Sequence, residues 1–563
     1  MQNEDGRLSH GAATGRRGIR IRVAVGTAIA LAAVNPWTVA GVAQAAAPAA
    51  AATQAATVTT VLTPNSNSAS DQVRWTTDSV APGVQVRTGV IQNTKARPVW
   101  TITLQAPAVN RLTGAATWAP VGDRTWADTT ARQLRAAGFQ PRVEEVRWED
   151  YSDTPHGTMG WRVRVGSYAA EAEAQSANQG VTATGLRTGV EWTGYDGQQT
   201  ADRQSIHVAV IDPATFRGTV ESTHGDSVAD RETTSSAAAK AKSLVAINGG
   251  FFITSDGDGV QGTVAGISAY EGKLESMAVG SRAALILADG GRHSRIADLS
   301  TTVTARSGLS TYAVQGINRA PGKIRNCGRP NATPTALPHH DLTCTAPNDL
   351  VKFTPKFRAN LPEGAGTQVV LDSKDRVVSV GSLGGKVPAG GSVLQGIGSG
   401  ANWLTSHSRK GQRIAVTEVI RDAKGRQVRL GAHDTIVSAS PTLVENGQVH
   451  IDAKAEGTLD PKDLSFGYAW SNVRQPRTMA GIDQRGRLIL ATVDGRQPGV
   501  SEGFTLAEAA RFMRSLGAKQ ALNLDGGGSS AMVVGGKLVN ITSDATGERA
   551  VGDTVQVLPA RRG

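Results

Sequence analysis

The pattern of apolar and polar positions changes character several times along the 563-residue chain. Residues 1–45 hold a basic stretch, Arg16-Arg17-Gly18-Ile19-Arg20-Ile21-Arg22, then an apolar run from Val23 to Val34 and a small-residue site at Ala43-Gln44-Ala45. That order is a secretory leader, too short and wrongly flanked for a stable membrane span. The Arg16-Arg17 pair leaves general and twin-arginine export both open. Residues 46–94 begin Ala-, Thr- and Ser-rich with little to bury, and are expected to be a flexible linker and lead-in.

Residues 95–187 alternate between strand and helix patterns. Residues 99–104 have the period of two that marks a strand. Trp126, Thr130 and Leu134 then recur at helical spacing until Gly138 stops the helix. Residues 142–146 and 161–165 are two more strands. In the latter, Trp161, Val163 and Val165 are expected to face inward and Arg162 and Arg164 outward, because strand side chains alternate. An Ala/Glu-rich helix from Tyr168 completes the order β-α-β-β-α, most of a ferredoxin-like module.

From residue 188 to 560 the chain is strand-rich. Residues 206–211 form a strand, a small-residue helix covers 235–242, and the strand 244–247 ends in Asn248-Gly249-Gly250-Phe251-Phe252. The best-specified helix lies near the C-terminus. Thr505 and Glu508 make a capping box, Leu506, Ala509, Met513 and Leu516 an apolar stripe, and Gly517 a stop. It feeds a strand in which Leu522 and Leu524 share one face and Asn523 and Asp525 the other. Gly526-Gly527-Gly528 and Ser529-Ser530 follow, then a second strand. This is either a plain hairpin or a carboxylate beside an anion-binding nest of N–H groups. The predicted fold class is α+β: a large mixed, sheet-rich domain preceded by a small ferredoxin-like module.

Composition narrows this picture. The length accommodates two or more domains, and 65 glycines with few aromatics suit sheets joined by tight turns. The net charge is +11, of which the leader's five arginines and two acids supply three. The remaining basic residues are scattered and accompany no nucleic-acid motif, so the charge is read as mild attraction to acidic envelope polymers. The two cysteines, Cys327 and Cys344, are expected to pair in an exported protein, a disulfide worth about 3 kcal/mol in the chain-entropy model. His339, His340 and Asp341 fall in that loop, which is read as solvated rather than as a metal site. No spaced set of acidic ligands appears, so no metal and no cofactor are expected.

Four strings share one further property. Asn248-Gly249-Gly250-Phe251-Phe252, Pro476-Arg477-Thr478-Met479-Ala480-Gly481-Ile482-Asp483, Thr492-Val493-Asp494-Gly495-Arg496 with Gly503-Phe504-Thr505-Leu506, and Asn523-Leu524-Asp525-Gly526-Gly527-Gly528-Ser529-Ser530 fall in this order. Together they resemble the phosphodiester glycosidase family over residues 188–560. Trp161-Arg162-Val163-Arg164-Val165-Gly166-Ser167-Tyr168 resembles the sporulation-related (SPOR) repeat of glycan-binding modules. The first resemblance implies hydrolysis between an anomeric carbon and a phosphodiester oxygen. Such chemistry needs positive charge and N–H donors at the phosphate and a carboxylate at the sugar.

On that basis Asp525 is the expected carboxylate, as nucleophile or base, with Asn523 beside it. Asp483 or Asp212 is the candidate second acid. Arg477, Thr478, Ser529 and the N–H groups of Gly526, Gly527 and Gly528 are expected at the phosphate, and Asn248 and Gly249 as a further polar contact. Arg477 could instead pair with Asp483 or Asp494, and Asp494-Gly495 could be only a hairpin turn. The second resemblance implies peptidoglycan binding through Trp161, Arg164 and Tyr168. The reading is a secreted or cell-wall-associated glycosidase acting on a phosphate-containing glycan, without nucleic-acid partners and without an integral membrane segment after leader cleavage. The alternatives are a non-catalytic envelope-glycan-binding protein and an exopolysaccharide-assembly factor.

Overall fold

The computed structural model describes residues 58–60 and 71–560, and the expected leader lies outside them. A nine-stranded antiparallel sheet organises these residues. Its order is Val58–Thr60, Asp71–Ala81, Val84–Asn93, Arg203–Ile211, Leu488–Val493, Arg477–Asp483, Ala518–Asn523, Thr442–Glu445 and Gln448–Val449. The strands Arg477–Asp483 and Leu488–Val493 are buried at every residue, because both faces of the sheet are covered.

On one face Val86, Ile211, Ala480, Leu490, Leu522 and Leu524 meet Val245, Ile247, Val555 and Val557 of a five-stranded sheet. On the other, Val208, Met479, Ala491 and Ala521 lie under the helix Leu506–Ser515. That helix starts as expected. Thr505 Oγ1 accepts the Glu508 N–H at 3.1 Å, and the Glu508 carboxylate accepts the Thr505 N–H at 2.9 Å. An eight-stranded sheet, a second five-stranded sheet and the helix Ser399–His407 enclose a separate core around Leu350, Leu394 and Ile436.

Two expectations change here. Residues 71–93 are no lead-in: they form a long hairpin whose second strand pairs with Arg203–Ile211 along its length, so the central sheet draws on both ends of the chain. Val73, Val84 and Val86 are its buried apolar side chains, and Asn93 is buried at its end. The strands on either side of the glycine run likewise form no hairpin. Ala518–Asn523 belongs to the nine-stranded sheet, whereas Met532–Val534 pairs with Val245–Asn248 in the opposing one. The chain crosses from sheet to sheet at Asp525–Ser530.

Between these parts, strands Pro141–Arg147, Thr158–Tyr168, Trp100–Leu104 and Thr188–Trp192 form a four-stranded antiparallel sheet in that order. Helices Arg124–Ala136 and Glu171–Thr182 pack on it around Ile102, Leu134, Val163 and Val181. Its other face is not free. Arg162 and Arg164, expected to point to solvent, are 1% and 2% exposed. Arg162 Nη2 lies 2.6 Å from Asp196 Oδ2, and its Nη1 donates to the Tyr468 hydroxyl at 2.8 Å. Arg164 reaches Glu144 at 3.2 Å, Asp196 at 3.3 Å and Glu191 at 3.4 Å.

The glycan-binding surface drawn from Trp161, Arg164 and Tyr168 is therefore not formed. Arg164 is spent inside the protein, the Arg124 guanidinium covers Trp161 at 4.3 Å from its ring centre, and the Tyr168 ring folds over Gly166. A buried charge that loses its partner is costly, whereas an exposed pair is worth little. Asp196→Ala is expected to lower stability by about 3–5 kcal/mol, read as the urea midpoint. Asp128→Ala, which removes the exposed partner of Arg124, is expected to change it by under about 0.5 kcal/mol.

Candidate active site

The four motif strings converge at one rim of the nine-stranded sheet, where strands Arg477–Asp483 and Ala518–Asn523 meet the strand Val245–Asn248 of the opposing sheet. Asn248 fastens the rim. Its Nδ2 donates to the Asp525 carbonyl at 2.7 Å, and its Oδ1 accepts from Thr478 Oγ1 at 2.7 Å and from the Ala531 N–H at 3.1 Å. The Asp525 N–H in turn donates to the Gly249 carbonyl at 3.1 Å, and the Gly249 N–H to the Asp553 carbonyl at 2.9 Å. Asn248 and Thr478 are fully buried. They hold the backbone of Asp525 from beneath, so the Asn248 side chain, the Thr478 hydroxyl and the Gly249 N–H, expected at the phosphate, are hydrogen-bonded within the protein.

Asp525 sits at the mouth of this rim. Burial pushes its carboxyl up to about 7; the Ser529 hydroxyl, the Arg549 guanidinium and the Gly526 N–H oppose that push, and Asp341 adds to it. Ser529, 1% exposed, also lies 3.5 Å from Arg549 Nη1, so it links the carboxyl to that guanidinium. The glycine run is not an open nest of N–H groups. Gly527 donates to the Pro476 carbonyl at 2.9 Å, and the Gly526 N–H serves the Asp525 carboxylate itself. Gly527 has a φ of +59°, which a side chain would strain, and a Cβ at Gly528 would lie 2.2 Å from Arg549 Nη2. The glycines thus allow arginines to close on the turn.

Those arginines are the positive charge of the site. Arg549 is held by Asp544 through two bonds of 2.8 and 2.9 Å, and Arg496 flanks Gly527 while bonding Gln475. Burial and the neighbouring Arg549 lower the pKa of Arg496. Arg477 lies deeper, 2% exposed, with Nε donating to the Phe504 carbonyl at 3.0 Å and Nη2 buried without a partner. Burial pushes it down to about 10. Among the described residues neither Arg477 nor Arg496 has a carboxylate within ion-pair distance, so the pairing of Arg477 with Asp483 or Asp494 does not occur. Trp470 borders the same space, 6.0 Å from Arg477 and 4.4 Å from His340 between ring centres.

The other expected acids lie elsewhere. Asp483 closes the far end of its strand, about 20 Å from Arg477 by strand rise. It accepts N–H bonds from Arg485 and Arg487 and pairs with the Arg487 guanidinium at 2.7 Å. Asp212 caps a turn at that same end by accepting the Ala214 N–H at 2.9 Å. Asn523, 1% exposed, gives its Nδ2 to the Ser440 and Leu524 carbonyls, and its Oδ1 has no partner. It braces the strand behind Asp525. Asp494 is buried with both oxygens unbonded, 3.7 Å from His207.

Arg496 fell within a motif yet read as a turn, while Arg549 carried no sequence signal. The loop of Cys327 and Cys344, which form the expected disulfide, comes to the site as well: His339 and His340 are buried there, not solvated. Among the described residues no group of three His, Cys, Asp or Glu is arranged to hold a metal ion.

Residues 365–558 match the phosphodiester glycosidase family. The mouse N-acetylglucosamine-1-phosphodiester alpha-N-acetylglucosaminidase is 34% identical over 110 residues, 19% of this chain and 21% of that enzyme. Its bovine counterpart is 29% identical over 196 residues, 34% of this chain and 36% of that enzyme. The matches thus span about a fifth to a third of these enzymes. Across 90% of this chain and 100% of the other, the crystal structure of a "Putative exported protein" from Burkholderia pseudomallei superposes with a TM-score of 0.77 at 31% identity. The chain belongs to one family with that Burkholderia protein, and its residues 365–558 carry the phosphodiester glycosidase match.

Proposed function

We propose that this protein is an exported glycosidase that hydrolyses the bond between a sugar's anomeric carbon and a phosphodiester in an envelope or extracellular polysaccharide. One observation carries the reading: Asp525, its carboxyl raised to about 7, stands on a glycine turn against Arg549, with Arg496 at the same turn. The family match and the names of the mouse and bovine relatives support the reaction class. The leader pattern, the disulfide and the name of the Burkholderia relative support export.

In this reading the phosphodiester lies against Arg496 and Arg549, whose guanidinium groups match phosphate oxygens in charge and geometry. Arg477 adds its charge from below, and the sugar extends toward Trp470. The departing group is a phosphate monoester, whose second pKa is about 6. A carboxyl of about 7 is matched to that oxygen, so Asp525 delivers its proton there as the C–O bond breaks. Ser529 and the Asn248 clamp fix its direction, and the arginines stabilise the charge that gathers on phosphate. This moves Asp525 from the sugar side, where the sequence suggested it, to the phosphate side.

A panel of α-linked glycosyl-1-phosphodiesters, with free sugar as the readout, tests the proposal. Asp525→Asn is expected to lower kcat/KM by about 10²–10⁴-fold. Wild-type kcat/KM should fall as pH rises through about 7, because the protonated form works. A rise across that range would make Asp525 a base instead. Arg496→Ala is expected to weaken phosphodiester binding about 10- to 100-fold, the size of a hydrogen bond to a charged group. Glycan binding with no sugar released from any diester would favour a binding protein.

Stability gives an independent check. Since the folded pKa of Asp525 lies above its ordinary value of 3.8, its contribution is fully present below about pH 4 and is lost as pH rises through about 7. Asp525→Asn removes that loss. Its melting temperature should exceed that of wild type by a few degrees at pH 8, and the difference should vanish near pH 4.

A further inference from the structure

We propose that the small four-stranded module is the brace of the active site: through Arg474 it fixes the strap 472–476, against which the turns of Asp525 and Arg496 both rest. Arg474 is thereby a positioning residue. Its effect on catalysis rests on the glycosidase reading above, whereas the mechanical link does not.

Pro476 is the point of contact. Its carbonyl accepts the Gly527 N–H at 2.9 Å, and a Cβ at Gly526 would lie 2.7 Å from the same oxygen. From the other side, a Cβ at Gly495 would lie 2.6 Å from the Pro476 nitrogen. The turns 494–496 and 525–527 are therefore pressed against one residue, at glycines that let them come so close. The neighbouring Gln475 side chain bonds the Arg496 guanidinium. The helix Leu464–Ser471, which leads into the strap, carries Trp470, whose ring centre lies 6.0 Å from the Arg477 guanidinium. A shift of the strap thus alters the placement of the Asp525 carboxyl against the Arg496 guanidinium.

The strap lies between a helix and a strand, outside any sheet ladder, so its backbone groups need partners elsewhere. The module and the turn that leaves it supply them. The Tyr151 hydroxyl, from the loop between two module strands, donates to the Ser471 carbonyl at 3.2 Å. Asn472 Nδ2 donates to the Arg147 carbonyl at 2.7 Å. The Gly197 N–H donates to the Asn472 carbonyl and the Arg474 N–H to the Tyr195 carbonyl, both at 2.7 Å. Tyr468 and Val473 are buried with Val146 and Met159 of the module's strands. Backbone pairing outside these segments begins at Gln475, which exchanges bonds of 3.1 and 3.0 Å with Phe504.

Arg474 is the junction. It is 2% exposed, and each N–H of its guanidinium has a partner. Nη1 donates to the Gly194 and Asp196 carbonyls at 2.8 and 2.7 Å. Nη2 donates to the Gln199 carbonyl at 2.6 Å and to Glu508 at 2.7 Å, and Nε to Glu508 at 3.0 Å. One side chain thereby joins the turn leaving the module to the carboxylate that caps the helix Leu506–Ser515. Lysine keeps the charge toward Glu508 but carries its donors on one nitrogen, so it cannot span these partners. Arg162 secures the other end of the link. It holds Asp196 Oδ2 at 2.6 Å and the Tyr468 hydroxyl at 2.8 Å, and so fixes both the turn that Arg474 grips and the helix that leads into the strap.

The test measures kcat on the diester panel and deuterium uptake by residues 525–530, in the full oxidised protein. It compares wild type with Arg474→Lys, Tyr468→Phe and Leu134→Ala. Leu134→Ala opens a cavity in the module's own core, away from the strap, and is the stability control. Arg474→Lys is expected to lower kcat about 10- to 100-fold, the effect of a misplacement of about 1 Å. It should also speed uptake by 525–530 about tenfold or more, because the Gly527 N–H loses a fixed acceptor at Pro476. Tyr468→Phe should move both readouts the same way by about three- to tenfold. Leu134→Ala should stay within about threefold of wild type in both, although its melting temperature falls by at least as much. Should Arg474→Lys fail to fold, seen as a lost melting transition, Tyr468→Phe carries the test. A folded Arg474→Lys with kcat and uptake unchanged overturns the brace, as does a Leu134→Ala that matches it in both. A wild type that releases no sugar, with uptake still raised in Arg474→Lys and not in Leu134→Ala, overturns the glycosidase reading and leaves the brace standing.

Discussion

The structure depends on one buried amide. Asn248 spans the rim at which two sheets face each other, and its side chain satisfies the Asp525 carbonyl, the Thr478 hydroxyl and the Ala531 N–H together. Each of those groups lies on a different segment, and each would be left unsatisfied in a dry interior without it. Because the chain crosses between sheets at this point, the clamp also sets where the crossing turn emerges. Asp525, the glycine run and Ser529 are positioned by what happens beneath them.

From that constraint follows the electrostatic character of the site. Packing of two sheets and a helix against the rim partly buries Asp525, and that burial makes its carboxyl resist ionisation. Burial likewise keeps the charge of Arg477, 2% exposed, poorly screened. Arg477 and Arg496 have no carboxylate within ion-pair distance among the described residues, and Arg549 is oriented by Asp544. In the proposed reading, Arg477 and Arg496 are charges that an anionic substrate compensates.

The capping box of Thr505 and Glu508 was legible in the sequence because it is a local pattern with one physical reading. The residues that the sequence misassigned share a different property, since their roles depend on what lies across from them. Arg162 and Arg164 point outward only if the small module stands alone, and Asp196 and Tyr468 come from farther along the chain. Thr478 and Asn248 read as phosphate contacts until the second sheet covers them. Asp483 was a misreading of local signal, because an acid before Arg485-Gly486-Arg487 is a turn capping itself. The hairpin 71–93 was hidden by its polar composition, as only pairing with Arg203–Ile211 gives its few valines a place to bury.

Hydrolysis in water enriched with oxygen-18, followed by mass analysis of the phosphate product, tells which of the two bonds to the bridging oxygen breaks. Cleavage between the anomeric carbon and oxygen leaves the phosphate monoester unlabelled, with the label entering the sugar. Label in the phosphate monoester would mean that water attacks phosphorus, and that Asp525 is not the acid of a glycosidase.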